Sequence, residues 1–299
     1  MQNFQTKKIN VEDISGKSAI HNSTIIDSLK FGSNVYYNVK TLILELPYGI
    51  DGIIGNNILN KNIWEIDYPN GKISRFYDIS QLKNIPKYFI LFKQKKGIPV
   101  VNIKIGKIKI RNVIFDTGNV NKLSLKAKDS VLIGNELLNY FYHEFYGKTF
   151  NEKSESLKHI KSGVYKQISF GNYTIDSINT NFMGKRTIGN GLILNSKIIL
   201  DYISNKIYFN NLKPTSYPYL GCWFEINKNG DILVSSLTKN SPADKSGIKI
   251  NDILIYANNY RSDKTLKDSI LDGSFYQFQT KSVTLKMKTW SIEKKIDME

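Results

Sequence analysis

Short apolar stretches that alternate with polar residues run through most of this chain, the period of a half-buried β-strand. Residues 24–31, 35–46, 63–67, 100–115, 164–170, 197–201 and 207–210 read as strands, and Gly, Asn and Asp-Gly turns punctuate them. Two turns match, Lys30-Phe31-Gly32-Ser33-Asn34 and Ser169-Phe170-Gly171-Asn172-Tyr173. One helix is expected over 130–146, where Val131, Leu132, Leu137, Leu138, Phe141 and Phe145 fall at roughly helical spacing, with Gly134 weakening its first turn. The aromatic cluster Tyr140-Phe141-Tyr142-Phe145-Tyr146 would be its packing face. Residues 210–219 hold Pro214 and Pro218 and read as a linker. Beyond it come short strands at 219–224 and 232–237.

One pattern occurs twice. Residues 54–73 read IGNNILNKNIWEIDYPNGKI and residues 188–207 read IGNGLILNSKIILDYISNKI. They align without a gap: Gly55 falls on Gly189, Asp67-Tyr68 on Asp201-Tyr202, and Lys72-Ile73 on Lys206-Ile207. A separation this long indicates a duplicated lobe rather than a solenoid, whose periods are ~20–50 residues. Between the copies, Phe115-Asp116-Thr117-Gly118 follows an alternating strand, and Asp116 lies 73 residues before the Gly189 of Thr187-Ile188-Gly189.

A two-lobed chain with hydrophobic-Asp-Thr-Gly and a later hydrophobic-hydrophobic-Gly resembles the pepsin/retropepsin-like aspartic proteases. The resemblance implies a mainly β, two-lobed acid-protease barrel, with residues 1–96 as a partial first lobe and 97–213 as the second. It implies aspartic endopeptidase activity on a polypeptide substrate, without a cofactor. Asp116, Thr117 and Gly118 would form the catalytic loop. Asp13-Ile14-Ser15-Gly16-Lys17-Ser18 looks like the tip of the family's flap hairpin, so Asp13, Ile14, Ser15, Gly16 and Lys17 would cover the cleft. Asp51-Gly52-Ile53-Ile54-Gly55 matches the family's DGILG.

The chemistry explains why two such loops are needed. Peptide hydrolysis without a metal or a covalent intermediate takes two carboxylates that share a proton. One acts as base on a water and the other as acid toward the carbonyl oxygen. Like charges a few ångströms apart push one pKa up and keep that proton in place. Only one Asp-Thr-Gly is present, and residues 1–50 contain neither Asp-Thr-Gly nor Asp-Ser-Gly. The expectation is that the chain starts inside its first lobe, and that the sheet near residues 53–55 has a strand position left unfilled. A homodimer that supplies Asp116 twice is disfavoured, because the second lobe already has a covalent partner. A further departure follows Gly118: Asn119 and Val120 stand where the family has a small residue and then a hydroxyl.

The run SPADKSGIKINDIL, residues 241–254, resembles the SPAxxAGLxxGDxI stretch of PDZ domains, which implies a PDZ-like α+β domain over 218–299. Asn251 replaces a glycine there, and Asn tolerates a left-handed backbone. By resemblance Leu220, Gly221, Cys222 and Trp223 would form the loop that binds the carboxylate of a C-terminal peptide tail, the peptide adding a strand beside 222–224. Residues 264–271 would be the groove helix. The competing functional reading is a catalytically inactive peptide-binding protein that uses this groove, with the barrel a relic.

Composition narrows the classes. At 299 residues and 41% hydrophobic content, the chain can bury a sizeable core. No apolar run approaches the roughly 18 residues of a membrane span. No apolar leader opens the chain, yet an upstream one is compatible with the expected start inside a lobe, so the compartment stays open. The net charge of +16 is spread along the whole length rather than gathered in a stripe, which argues for a solvated surface over nucleic-acid binding. Cys222 is the only cysteine, so neither an internal disulfide nor a Cys-based zinc site is expected. Gly16-Lys17-Ser18 ends like a phosphate-binding loop, but the glycine needed earlier is Val11. His143-Glu144 starts like a zinc-protease helix, but the second histidine position holds Gly147. His21, His143 and His159 have no metal-ligand spacing, and Asp51, Asp67 and Asp201 read as turn and strand-end residues.

Overall fold

The computed structural model describes residues 6–12, 17–44, 46, 50–119, 121–133, 137–147, 156–210, 212, 220–258, 260–271, 275 and 282–298. The chain is mainly β. It folds as two compact units: residues 1–45, 53–140 and 163–214 form the first, and residues 46–52, 141–162 and 215–299 the second.

The first unit opens with β1 (Lys7–Glu12), β2 (Ser18–Phe31) and β3 (Asn34–Ile43), then α1 (Asn56–Leu59). Next come β4 (Ile63–Asp67), β5 (Lys72–Phe76), β6 (Tyr88–Leu91) and β7 (Lys93–Lys95). They are followed by β8 (Ile98–Ile105), β9 (Ile108–Asp116), β10 (Leu123–Leu125) and α2 (Asp129–Leu132). The strands β11 (Leu137–Gly147) and β12 (Ser156–Phe170) each contribute residues to both units. The first unit closes with β13 (Tyr173–Phe182), β14 (Thr187–Gly189), β15 (Lys197–Asp201) and β16 (Lys206–Phe209).

The sequence repeat appears as a local two-fold. β4 and β15 pair antiparallel with Ile63 opposite Asp201, Glu65 opposite Ile199 and Asp67 opposite Lys197. In the repeat, Ile63 corresponds to Lys197, Glu65 to Ile199 and Asp67 to Asp201. Exchanging the copies therefore maps the pairing onto itself, about an axis at Glu65 and Ile199. β5 flanks β4, β16 flanks β15, and β6 completes a five-stranded sheet. The repeated aspartates set the hairpin turns. Asp67 accepts the Asn70 amide at 3.3 Å, and Asp201 accepts the Ile203 and Ser204 amides at 2.8 and 2.9 Å. The matching turns close the hairpins β2–β3 and β12–β13, with Gly32 and Gly171 both left-handed. Trp64, Phe115, Tyr165, Ile168, Ile178, Ile188 and Ile198 are among the side chains that fill one continuous core.

Two expectations are corrected here. The stretch 100–115 is not one strand: β8 and β9 form a hairpin about Gly106-Lys107, with Ile105 opposite Ile108 and Gly106 left-handed. The buried positions 101, 103 and 105 give way to 110, and a register shift then restores 113 and 115. Residues 130–146 are not a helix either. Helix is confined to Asp129–Leu132, and Leu137–Gly147 is strand, so the aromatic cluster is carried on a strand. Dense aromatic content favours extended backbone, and the ladder partners that decide the matter lie far off in sequence.

The second unit contains β17 (Cys222–Ile226), β18 (Ile232–Thr238), α3 (Pro242–Lys245), β19 (Ile253–Ala257), β20 (Tyr260–Arg261), α4 (Lys264–Leu271), β21 (Ser282–Met287) and β22 (Lys294–Asp297). Its strands run β17-β18-β19-β21-β22, with β20 beside β19. Residues 143–145 of β11 also pair with 236–238 of β18. Ser241 caps α3 by accepting the Asp244 amide at 3.3 Å, and Pro242 occupies the first helical position. Asn251 has φ +68°, the left-handed turn expected for it. Phe224, Ile232, Val234, Leu254, Leu266 and Leu285 lie in the core. Among the described residues no helix is long and apolar enough to cross a membrane.

Candidate functional site

Asp116 ends β9 and is half-buried. Its carboxylate accepts the Gly118 amide at 3.0 Å, and its carbonyl accepts the Asn119 amide at 3.2 Å. The chain thus turns sharply and leaves the carboxylate at the mouth of the loop. β14 runs parallel to β9 behind this turn, with Gly189 opposite Asp116. On its other side β14 pairs antiparallel with β10, Ile188 facing Leu123. A Cβ at Gly189 would fall far inside contact distance of the backbone oxygens of Asn119 and Asn121, so only glycine lets the loop close over this strand. Asn119 helps hold it: its side-chain amide donates to the Thr187 hydroxyl at 2.9 Å, and its oxygen accepts the Asn121 amide at 3.0 Å. Val120 lies outside the described residues.

A buried ion pair braces the site from below. Arg186 immediately precedes β14, and its carbonyl accepts the Ile114 amide of β9 at 2.9 Å. Its guanidinium meets both oxygens of Asp129 at 2.7 and 2.5 Å and also donates to the Arg111 carbonyl at 2.9 Å. The Asp129 carboxylate has no exposed surface. Burial pushes its pKa up, but the Arg186 hydrogen bonds and the Lys126 amide outweigh burial and hold it below the ordinary value. Sequence reasoning missed this pair. The available signal was an arginine in a chain that otherwise relies on lysine, since only a guanidinium grips a carboxylate with two parallel bonds.

Tyr68 is the other residue that sequence reasoning passed over. Burial first, and the negative charge of Asp116 second, push its phenol up to about 12. The phenol therefore stays protonated, and Tyr68 stands close enough to feel that carboxylate. Its counterpart in the repeat, Tyr202, donates to Asn56 Oδ1 at 2.8 Å. The symmetric acceptor for Tyr68 is Asn190, beside Gly189, and its Oδ1 is buried with no hydrogen-bond partner. The two-fold is thus broken in its polar contacts: Tyr202 bonds Asn56, whereas Asn190 Oδ1 has no partner.

Of the expected flap residues, Asp13, Ile14, Ser15 and Gly16 lie outside the described residues, and Lys17 is exposed. The flanking strands do form a hairpin, β1 pairing with β2 and Glu12 facing Ser18. Glu12 also pairs with Lys185 at 2.6 Å, just ahead of β14. Among the described residues no second carboxylate is hydrogen-bonded to Asp116.

In the second unit, Leu220 and Gly221 precede β17, while Cys222 and Trp223 begin it. The Leu220 carbonyl accepts the Ala243 amide at 3.0 Å and the Gly221 carbonyl accepts the Thr238 amide at 2.8 Å. In a trans peptide the following N–H points the opposite way, so the Gly221 and Cys222 amides face away from α3 and from the end of β18. α4 packs across β17, and Phe224 meets Phe275 edge-on at 5.6 Å. Burial pushes the Cys222 thiol well above its ordinary value, which leaves it an inert core side chain. Gly221 has φ +89°, and a Cβ there would collide with Ser241. Gly221→Ala is therefore expected to destabilise this unit by about 2–4 kcal/mol, read as a lower urea midpoint. An unchanged midpoint would show that the loop does not pack on Ser241.

The remaining candidates lie elsewhere. Asp51 is exposed, and Asp67 and Asp201 cap turns. His159 faces Glu144 at 3.9 Å, which Lys239 also pairs at 3.3 Å. Among the described residues no group of three His, Cys, Asp or Glu is placed to hold a metal ion. No protein-family profile matches this chain, and no curated protein matches it.

Proposed function

We propose that this chain is an aspartic endopeptidase of the pepsin/retropepsin type joined to a PDZ-like module that binds peptide C-termini. The observation that carries the first half is β14 passing behind the Asp116 loop, with Gly189 opposite Asp116, inside a unit whose halves pair about a local two-fold. On this reading a symmetric partner would supply the second carboxylate. Asp116 would take a proton from water while a second carboxyl protonates the scissile carbonyl oxygen, with no cofactor. Tyr68, protonated and beside Asp116, is a donor suited to a substrate carbonyl. Residues 13–17, by the resemblance the flap, would cover the bound polypeptide. In the second unit, outward amides at 221–222, an edge at β17 and α4 alongside it suit a strand-adding peptide with a free carboxylate.

The competing reading, a non-catalytic peptide-binding protein, is favoured by the lone carboxylate at the loop. Hydrolysis of an unstructured protein by the purified chain separates the two. In a form that has its second Asp loop, activity is expected to be pepstatin-sensitive and to fall ~10²–10⁴-fold in Asp116→Asn, whose amide keeps the shape but cannot share a proton. Turnover that survives this change would remove the mechanism. For the second unit, the full chain is titrated with one peptide as free acid and as C-terminal amide. Binding on the order of micromolar is expected for the acid and markedly weaker binding for the amide. Equal affinities would make the module a spacer.

A further inference from the structure

Basic residues are spread along the chain, but the acidic ones are not. No Asp or Glu lies between Asp78 and Asp116, a stretch that holds nine Lys or Arg. That stretch forms β6, β7, β8 and β9. Strand alternation sends its charges to one side, because the other side is spent on the core. On β8, Val101, Ile103 and Ile105 are buried, while Asn102 and Lys104 are exposed. On β9, Ile110 and Val113 are buried, while Lys109, Arg111 and Asn112 are exposed. Lys104 stands directly opposite Lys109. Lys95 of β7 donates to Asn112 Oδ1 at 2.8 Å, and Asn102 Oδ1 accepts the Asn112 amide at 3.2 Å. These bonds put residues of β7, β8 and β9 on one outward face.

An apolar part adjoins it. Through 88–93 exposure alternates as well: Ile90 and Phe92 lie in the core, whereas Phe89, Leu91 and Lys93 are exposed. The outward side of β6 therefore runs on into that of β7. Phe89 is 36% exposed and Leu91 62%. Their partners across the ladder on β16 are Tyr208 and Lys206, which share that side. Lys206 Nζ lies 5.0 Å from the centre of the Phe89 ring and 5.9 Å from that of Tyr208.

Two features mark this face as shaped for a partner. Like charges directly opposite each other destabilise a ladder, so Lys104 against Lys109 is unfavourable in the free protein. Among the described residues, none of Lys93, Lys95, Lys104, Lys109 and Arg111 pairs with a carboxylate. The carboxylates of the neighbouring β4 and β15 are engaged elsewhere. Glu65 and Asp67 pair with Lys197, and Asp201, opposite Lys206, holds the amides of its turn.

We infer that this face seats the protein on an anionic lipid bilayer. Phe89 and Leu91 enter the headgroup layer, Tyr208 and Lys206 lie at its level, and the lysines of β7, β8 and β9 meet its negative surface. The chemistry favours a bilayer over a nucleic acid. The cations cover three strands, about 10 Å across at the ~4.8 Å strand spacing, which is a surface rather than a groove. Among the described residues of β7, β8 and β9 no aromatic ring is exposed for a base to stack on. Leu91 can neither stack nor hydrogen-bond. Lysine predominates, a hydrated point charge suited to a diffuse potential rather than a fork for one phosphate. The inference is independent of the endopeptidase reading, since it concerns where the chain is held and not what it hydrolyses.

The test sediments the full chain with phosphatidylcholine vesicles, either pure or with about 30% phosphatidylserine. Binding is expected to the anionic vesicles alone. Lys93→Gln, Lys95→Gln, Lys104→Gln and Lys109→Gln together should weaken it several hundred-fold, at about 5-fold per cation. Lys61→Gln, Lys249→Gln, Lys288→Gln and Lys295→Gln remove the same charge from exposed sites elsewhere and should weaken it by less than about 10-fold. Leu91→Ser should weaken it by about 10-fold. Urea midpoints like the parent's show that each variant folds. Equal binding to pure and anionic vesicles would overturn the inference. So would equal losses in the two fourfold variants, since net charge rather than this face would then be acting. A DNA duplex bound as tightly as the anionic vesicles at the same salt, with Leu91→Ser changing neither, would put a nucleic acid on the face and overturn it too.

Discussion

Gly189→Ala is expected to destabilise the first unit by on the order of 4 kcal/mol or more, at the top of the range for single substitutions. The reason is geometric. The added carbon would overlap backbone oxygens of both Asn119 and Asn121, and neither is the loose end of a side chain. To make room, the loop must lift off β14. Lifting it breaks the Asn190 amide bond to the Asn119 carbonyl at 2.7 Å and separates the Asn119 side chain from Thr187. Moving β14 instead would open the core at Ile188, which packs beneath Phe115. Over-packing alone costs about 1–3 kcal/mol, and lost buried hydrogen bonds add to it. The matched control is Gly55→Ala, expected to stay within about 1 kcal/mol because only the end of one side chain must move. Urea unfolding of the two variants beside the parent reads the contrast. Equal midpoints for both variants would mean that the loop does not rest on β14.

Arg186→Met should cost about 3–5 kcal/mol, because it leaves the Asp129 carboxylate buried and uncompensated. The double variant Arg186→Met, Asp129→Leu should recover most of that loss, since a well-packed apolar pair often equals or exceeds a buried ion pair. The pH dependence carries the sign. In the parent, Arg186 holds the folded carboxyl of Asp129 below its unfolded value of about 3.9. Its stabilisation is therefore present above that value and is lost as pH falls through the folded pKa. In Arg186→Met burial, the largest influence on Asp129, is opposed only by the Lys126 amide and charge, and the folded pKa is expected to rise above the unfolded one. Stability is then lost as pH rises from the unfolded value through the folded pKa, the reverse of the parent. The other carboxylates are common to both proteins, so the difference between their urea midpoints across that range isolates Asp129. Parallel profiles would show that Arg186 does not set the charge state of Asp129.

Local rules explain what the sequence by itself determined. The short apolar stretches at 24–31, 63–67 and 197–201, set between turn residues, are strand signals, and these segments are strands in a mainly β fold. The gapless repeat of 54–73 in 188–207 carried the same turn aspartates and the same strand ends, so the copies fold alike and pair symmetrically. The left-handed Asn251 was likewise legible, since a few neighbouring residues decide it. The Asp-Thr-Gly and the later Ile-Gly were visible as separate signals, but only the tertiary structure sets them side by side, with β14 behind β9. It also decided 137–147, where apolar residues satisfy both periods and a distant partner strand selects extended backbone. The hairpin inside 100–115 escaped notice because a two-residue turn and a bulge hide within an unbroken alternation. Arg186 and Asp129 form a pair far apart along the chain. Each partner alone is an ordinary polar residue. Burial gives the pair its meaning, because a charge removed from water must find its partner nearby, and sequence order carries no record of that distance.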